Sequence, residues 1–333
     1  TDEEALGLLA DDGENLRHYL FYTSVRYIKK IDSPGHERFR EILYMDEPEQ
    51  QLAQFHKYLS DGENLKAFLE IFPVVATTCI SAHRLGDPAV HFDLTVMDEA
   101  SQCDTATGLV PVLRGASLML VGDPQQLNPV ILLDESANQR LRKKYSIREE
   151  YDYRKNSIYK AFLACDAVSD EVLLRNHYRC SPEIIGFNNR KYYHSRLQIQ
   201  SEPGPGPALV YIDVKDGSTR EKNTAPAEAA EVLDYARAHP DQSIGIITPF
   251  VNQKNLIQQR LREAGLSHVT CGTVHAFQGD EKDVVLFSTA LTDDTWEGTY
   301  EWLKNNRELI NVATSRARQQ LVVLASGRNL ERV

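Results

Sequence analysis

Apolar residues in the first 72 positions recur at helical spacing, whereas from residue 73 onward they gather in short runs that end in polar residues. Leu16, Leu20, Val25 and Ile28 mark one helical face. A second helix is predicted to start at Pro48, near Asp46 or Glu47, with Leu52, Phe55 and Leu59 on one side. Beyond the turn at Asp61-Gly62, Leu65, Phe68, Leu69 and Phe72 repeat the spacing. The pentapeptide DGENL occurs at 12–16 and again at 61–65, and reads as two acidic helix starts rather than an internal repeat. The runs at 73–78, 93–100 and 116–124 have the texture of buried parallel strands with polar groups at their carboxyl ends. Helical connections are expected at 104–114 and 156–164, with charged and Tyr-rich surface structure over 131–157.

A second series of runs follows at 171–175, 207–214, 243–250, 269–274, 283–291 and 320–326. Stretches of helical composition at 226–238, 251–264 and 305–317 separate them. Alternation of this kind predicts open α/β sheets. The chain therefore divides into a helical stalk or accessory insertion (1–72), a first sheet domain (73–165) and a second sheet domain (166–333).

Composition narrows the class. With 42% apolar and 26% charged residues, the 333-residue chain is ordinary for a globular protein and long enough for two cores. It holds no apolar run long enough to span a bilayer. The acidic opening lacks the basic and apolar regions of a signal peptide, and the first residue is Thr, which suggests a fragment. Cys79, Cys103, Cys165, Cys180 and Cys271 form no metal-binding spacing, which fits a reducing, intracellular location. A net charge of -11 points away from a uniformly basic nucleic-acid binder, though a local groove is compatible with it.

The first sheet domain carries the sharpest chemistry. Val96-Met97-Asp98-Glu99-Ala100 is an apolar strand ending in two carboxylates. Asp98 suits magnesium coordination, through water, and Glu99 suits a general base for an attacking water; a solvated strand end is the plain alternative. Gly122-Asp123-Pro124-Gln125-Gln126 follows another apolar run. There Gln126 is positioned to bond the attacking water or a terminal phosphate, with Asp123 helping to organise the magnesium shell. The sequence contains no G-x-x-x-x-G-K-S/T, so it has no phosphate-binding loop of that kind. The chain alone is expected to bind ATP weakly and hydrolyse it poorly.

In the second sheet domain, Arg179 lies in Asn176-His177-Tyr178-Arg179-Cys180-Ser181-Pro182, just after a predicted strand and before a helix start. A planar guanidinium there can neutralise phosphate charge; a surface salt bridge is the ordinary alternative. In the segment 272–281, Thr273 and His275 are candidates for a nucleic-acid backbone and Gly279 for close approach to nucleotide. Glu281 is a candidate either for bonding ribose or for orienting the neighbouring arginine. Small residues at 311–317 let a helix pack closely while presenting Arg316, with Arg318 on another side of that helix. The basic and aromatic residues Arg190, Lys191, Tyr192, Tyr193 and Arg196 read as packing plus solvated charge, with nucleic-acid contact as the alternative.

VVATTCISA, VMDEASQ, LVGDPQQLNPV, LLRNHYRCSPEIIGFNNRKYY, IGIITPFVNQ, TVHAFQGDEKDVVLFS and NVATSRARQQLVVL occur in this order between about residues 74 and 327. The ordered set resembles superfamily 1 helicases, in the branch that contains nonsense-mediated-decay and replication helicase-nucleases. The resemblance implies an α/β fold of two RecA-like domains of the P-loop NTPase type, the first incomplete, after a mainly helical amino-terminal region. It implies a carboxy-terminal part of an ATP- and magnesium-dependent helicase or translocase acting on single-stranded DNA or RNA, 5′ to 3′. Asp98 and Glu99 then handle magnesium and water, Gln126 senses the terminal phosphate, and Arg179 and Arg316 act as fingers. Gly279 and Glu281 lie near nucleotide, and Thr78, Thr248 and Thr273 near nucleic acid. The family's phosphate loop would come from an amino-terminal segment of the same protein. His177 stands where the family often has Gln, Cys180 where it often has Met, and Thr314-Ser315 where it often has Leu-Thr. Two other readings share these motifs: a noncatalytic interaction module on a helicase fold, and a nucleotide-dependent switch that does not unwind duplex.

Overall fold

The computed structural model describes residues 13–165, 171–204, 206–215, 219 and 221–333. The chain is mixed α/β and falls into two compact units: Thr1–Gly122 with Val130–Leu163, and Asp123–Pro129 with Ala164–Val333.

The first unit begins with helices. α1 (Gly13–Ile28) buries none of its residues, so its apolar positions, Leu20 among them, stay in solvent. α2 (Glu37–Leu43), α3 (Pro48–Leu59) and α4 (Gly62–Ile71) form a separate core around Phe39, Tyr58, Leu59, Leu65 and Ile71. Pro48 opens α3 at a position where no backbone N–H is needed. The Asp61 carboxylate caps α4 by accepting from the Asn64 backbone N–H at 3.0 Å. The ring of Phe39 meets that of Phe68 edge-on at 5.5 Å, a favoured aromatic geometry.

The sheet of this unit has two parallel strands, β1 (Phe92–Met97) and β2 (Gly115–Leu120), paired from Phe92↔Gly115 to Met97↔Leu120. They are joined through α5 (Thr105–Val112), which Asp104 caps through Thr107 N–H. Met97, Ala100 and Ile158 form the core beneath, but Leu94, Val96 and Met119 are exposed. Residues 73–78 form no strand, contrary to expectation: Val74 is exposed and the run has no ladder partner. An apolar run becomes a strand only where a neighbour takes up its N–H and C=O groups. The charged stretch over 131–157 contains α6 (Glu135–Tyr145), and α7 (Ile158–Cys165) follows where a helix is expected.

In the second unit, 171–175 is likewise not a strand, and the ladder there is confined to β3 (Asn176–His177) against β4 (Gln198–Ile199). Between them lies α8 (Pro182–Tyr192). The main sheet is wholly parallel, in the order β5-β9-β8-β6-β7, with β5 Leu209–Asp213, β6 Ile244–Thr248, β7 Thr270–Thr273, β8 Lys282–Ser288 and β9 Ala317–Ala325. Both faces are covered, as a parallel sheet requires. One core contains Val285, Phe287, Leu321, Phe277 and Val312. The other contains Ile246, Val284, Leu286, Val322 and Leu324, with Val232 of α9 (Pro226–Ala238) and Ile257 of α10 (Val251–Glu263). The helix expected over 305–317 is present as α12 (Arg307–Thr314), but it ends at Thr314 and the chain enters β9 at Ala317; a further helix, α11 (Glu297–Asn305), precedes it where none was expected. No helix among the described residues is long and apolar enough to cross a membrane.

Candidate functional site

In the first unit, β1 ends at Met97, which is buried, and hands the chain to two exposed carboxylates, Asp98 and Glu99. Glu99 has φ 51 and ψ 35, the left-handed region that a residue with a Cβ seldom adopts. Its surroundings hold it there. The Asp98 Oδ1 atom accepts from Glu99 N–H at 2.9 Å, and Glu99 C=O accepts from Gln102 N–H at 2.9 Å. Ala100 N–H donates to Val121 C=O and Val121 N–H to Met97 C=O, both at 2.8 Å, tying the turn to the exit of β2. Gln102 Nε2 donates to Glu99 Oε2 at 2.6 Å and so orients one carboxylate oxygen. Strain of this kind, over-determined by neighbours, is typical of working sites. Gly122 passes so close that a Cβ there would lie 2.8 Å from the Ser101 nitrogen. The two strand ends are thus in backbone contact, and only glycine fits. Thr78 is exposed, and its Oγ1 accepts from Ser81 N–H at 3.2 Å at the start of a 3₁₀ turn.

The segment Asp123–Pro129 belongs to the second unit. Leu127 is buried in that unit's core, and Asn128 Nδ2 donates to Glu308 Oε1 at 3.0 Å. The Asp123 carboxylate is engaged within the protein: it accepts from Gln125 N–H at 2.9 Å, Gln126 Nε2 at 2.9 Å and Tyr193 Oη at 2.7 Å. Asn311 Nδ2 donates to Gln125 C=O at 2.9 Å and to Tyr193 Oη at 3.0 Å. Leu127 and Asn311 were not singled out as site residues by sequence, and Tyr193 was read only as packing, with nucleic-acid contact as the alternative. Only the apolar Leu127 inside a polar turn hints at anchoring, because the other contacts join residues far apart in the chain.

Arg179 follows β3, and its Nε lies 2.6 Å from Glu281 Oε2. Glu281 is thus paired with the neighbouring arginine. Gly279 has φ 80, a conformation suited to glycine, and is exposed with open space where a Cβ would stand. Arg318 lies on β9, not on a helix, within 3.8 Å of both Glu281 and Asp283. Arg316 is not projected from a helix either: it follows the end of α12, is buried, and donates from Nε to Val312 C=O at 3.2 Å. Cys180 Sγ donates to Ser315 C=O at 3.3 Å, which places the backbone next to Arg179 against the backbone next to Arg316. Burial pushes the Cys180 thiol up to about 11, so it is neutral and structural.

His177 Nε2 accepts from Cys180 N–H at 3.0 Å, and burial, with Arg179 nearby, holds the imidazole below its ordinary value. The other candidates are spread along strand ends. Thr248 closes β6 and is fully buried, whereas Thr273 closes β7 half-buried and begins the 3₁₀ turn Val274–Phe277, which holds the exposed His275. Tyr192 is buried against Phe187 and Arg307, so within the basic and aromatic patch it is a packing residue.

Magnesium in phosphate sites takes one or two carboxylates and fills the rest of its shell with water and phosphate oxygens. An exposed Asp98 at the carboxyl end of a parallel strand fits that donor set, although no cluster of three or more His, Cys, Asp or Glu suited to a metal occurs among the described residues.

Two family models, each described as an AAA domain, match residues 30–134 and 154–328. RNA helicase Mov10l1 of Mus musculus is 28% identical over 311 residues, covering 81% of this chain and 26% of the relative. Helicase SEN1 of Saccharomyces cerevisiae is 27% identical, covering 81% of this chain and 13% of its own length. The DNA replication ATP-dependent helicase/nuclease DNA2 of Mus musculus is 25% identical, with 81% and 28% covered. The chain thus spans little more than a quarter of these relatives, or less. With matched AAA domains on either side of residues 134–154 and a helical region before the first strands, it belongs to the superfamily 1 helicases, among relatives of the Upf1, Sen1 and Dna2 type.

Proposed function

We propose that this chain supplies the hydrolytic residues of an ATP-driven motor that translocates 5′ to 3′ on single-stranded DNA or RNA, intracellularly. The observation that carries this reading is the strained turn at Asp98-Glu99, which holds two exposed carboxylates at the carboxyl end of a parallel strand. Magnesium, when bound, draws charge from the phosphates, and Asp98 is the residue that would hold it, through water. Glu99 accepts the proton of the attacking water, and Gln126 meets that water or the terminal phosphate beside Asp123. Arg179, steadied by Glu281, and Arg316 neutralise charge on the transferring phosphoryl group. Gly279 lets the backbone approach nucleotide, while Thr78, Thr248, Thr273 and His275 line the strand's path.

The phosphate-binding loop comes, in this reading, from another segment of the same protein, and the exposed Leu94, Val96 and Met119 of the two-stranded sheet support such a completion. A module that binds without turnover is the second reading, favoured by the absence of that loop from this sequence. Phosphate release from ATP separates them. The longer protein is expected to show turnover stimulated by single-stranded DNA or RNA, and residues 1–333 alone to show little. Absence of stimulated turnover in the longer protein would leave the binding module as the reading.

A further inference from the structure

We propose that Tyr193 is a positioning residue for Gln126, locking the segment Asp123–Pro129 onto the second unit through a shared carboxylate. The inference rests on the hydrolytic reading of Gln126 given above and adds to it a residue that acts through Asp123 on the Gln126 side chain.

Tyr193 Oη and Gln126 Nε2 both donate to the same atom, Asp123 Oδ2, at 2.7 and 2.9 Å. The Gln126 side chain is therefore tethered by its amide nitrogen, and its carbonyl oxygen is the end that remains to face a reacting water. The phenol is held in turn. Its oxygen accepts from Asn311 Nδ2 at 3.0 Å, while the same nitrogen donates to Gln125 C=O at 2.9 Å. Asn311 is itself fixed by Asn188 Nδ2, which donates to Asn311 Oδ1 at 2.7 Å and to Asn311 C=O at 3.0 Å. Asn311 sits in α12, whose end leads to Arg316, and Tyr193 is the residue just after α8. The hydrogen bonds thus connect the proposed phosphate-sensing loop to the helix that precedes an arginine finger, entirely within one unit.

The backbone below Tyr193 shows the same constraint. His194 and Ser195 both have positive φ, 53 and 59, and neither is glycine. Asn189 clamps this turn: its C=O accepts from Ser195 N–H, its Oδ1 from Leu197 N–H, and its Nδ2 donates to Leu197 C=O. Two consecutive left-handed residues are costly, and they persist here because the turn is over-determined. Burial, and the Asp123 carboxylate beside it, push the Tyr193 phenol well above its ordinary value, so the hydroxyl keeps its proton and donates.

The test is Tyr193→Phe in the longer protein that carries this chain, alone and combined with Gln126→Ala, read as steady-state ATP turnover with saturating single-stranded nucleic acid. Loss of one positioning hydrogen bond predicts about a tenfold lower kcat with KM for ATP unchanged. In the Gln126→Ala background the same change should cost nothing further, because the residue acts through Gln126. A wild-type kcat in Tyr193→Phe overturns the proposal, and so does a loss of equal size in both backgrounds. Asn311→Ser, which removes the donor to the same hydroxyl, should give the same kcat-specific loss, so the proposal stays testable should Tyr193→Phe prove unstable; an unchanged kcat there counts against it. Glu99→Gln in the same assay keeps the two levels apart. If Glu99→Gln retains full turnover the hydrolytic reading fails, whereas if it is dead and Tyr193→Phe is normal, only the role of Tyr193 fails.

Discussion

Single residues carry most of the chemistry, and each is held by a specific neighbour. Glu99 occupies left-handed backbone, Arg179 is paired to Glu281, and Arg316 is buried against Val312 C=O. His177 offers a pH test. Its Nε2 must be unprotonated to accept from Cys180 N–H, and burial, then Arg179, hold its value below the ordinary 6.5. In the window between that lowered value and 6.5 the unfolded chain binds more protons than the folded one. Stability therefore rises with pH across the window and is lost as pH falls through it. His177→Gln, which keeps an acceptor without a titrating group, should flatten the fall of the urea midpoint as pH drops below 6.5. Identical pH profiles for the two proteins would show that this imidazole does not carry the effect.

Elements differ in how readily they were read from the sequence, and the physical cause is visible. The strands β5 to β9 stood out because a parallel sheet covered on both faces needs unbroken apolar runs. The runs at 73–78 and 171–175 have the same texture, yet neither found a partner strand along its length, and pairing is not written in the run itself. The stretch 305–317 carries no Gly or Pro to stop a helix, so it reads as helical throughout, yet α12 ends at Thr314. That misplacement changed the expected surroundings of Arg316 and Arg318. The motif positions Asp98, Glu99 and Gln126 were legible from strand ends and local turn residues, whereas Tyr193 and Asn311 act through contacts over long chain separations. Gly122 tests whether the two strand ends must touch. A methyl group there would press on the Ser101 nitrogen, so Gly122→Ala should cost about 1–3 kcal/mol in urea unfolding, as overpacking does, and lower ATP turnover with it. A variant with unchanged stability and turnover would mean the contact is looser than drawn.

At the level of the whole molecule, the chain belongs to the superfamily 1 helicases and covers at most 28% of the relatives described above. The net charge of -11 makes a broad electrostatic footprint an unsuitable source of nucleic-acid affinity. The strand-end contacts proposed for Thr273 and His275 do not require a basic surface, since polar side chains and backbone groups can meet phosphate. Among the residues proposed for hydrolysis, Glu99, Arg179 and Arg316 are each held by neighbours in their own unit through short contacts.

The role proposed for Glu99 is that of general base in an ATPase. Its most direct test is nucleic-acid-stimulated ATP turnover in the longer protein, wild type against Glu99→Gln. Removing a general base predicts a loss of about 10²–10⁴-fold in kcat with ATP binding retained. Equal turnover in the two proteins would contradict it.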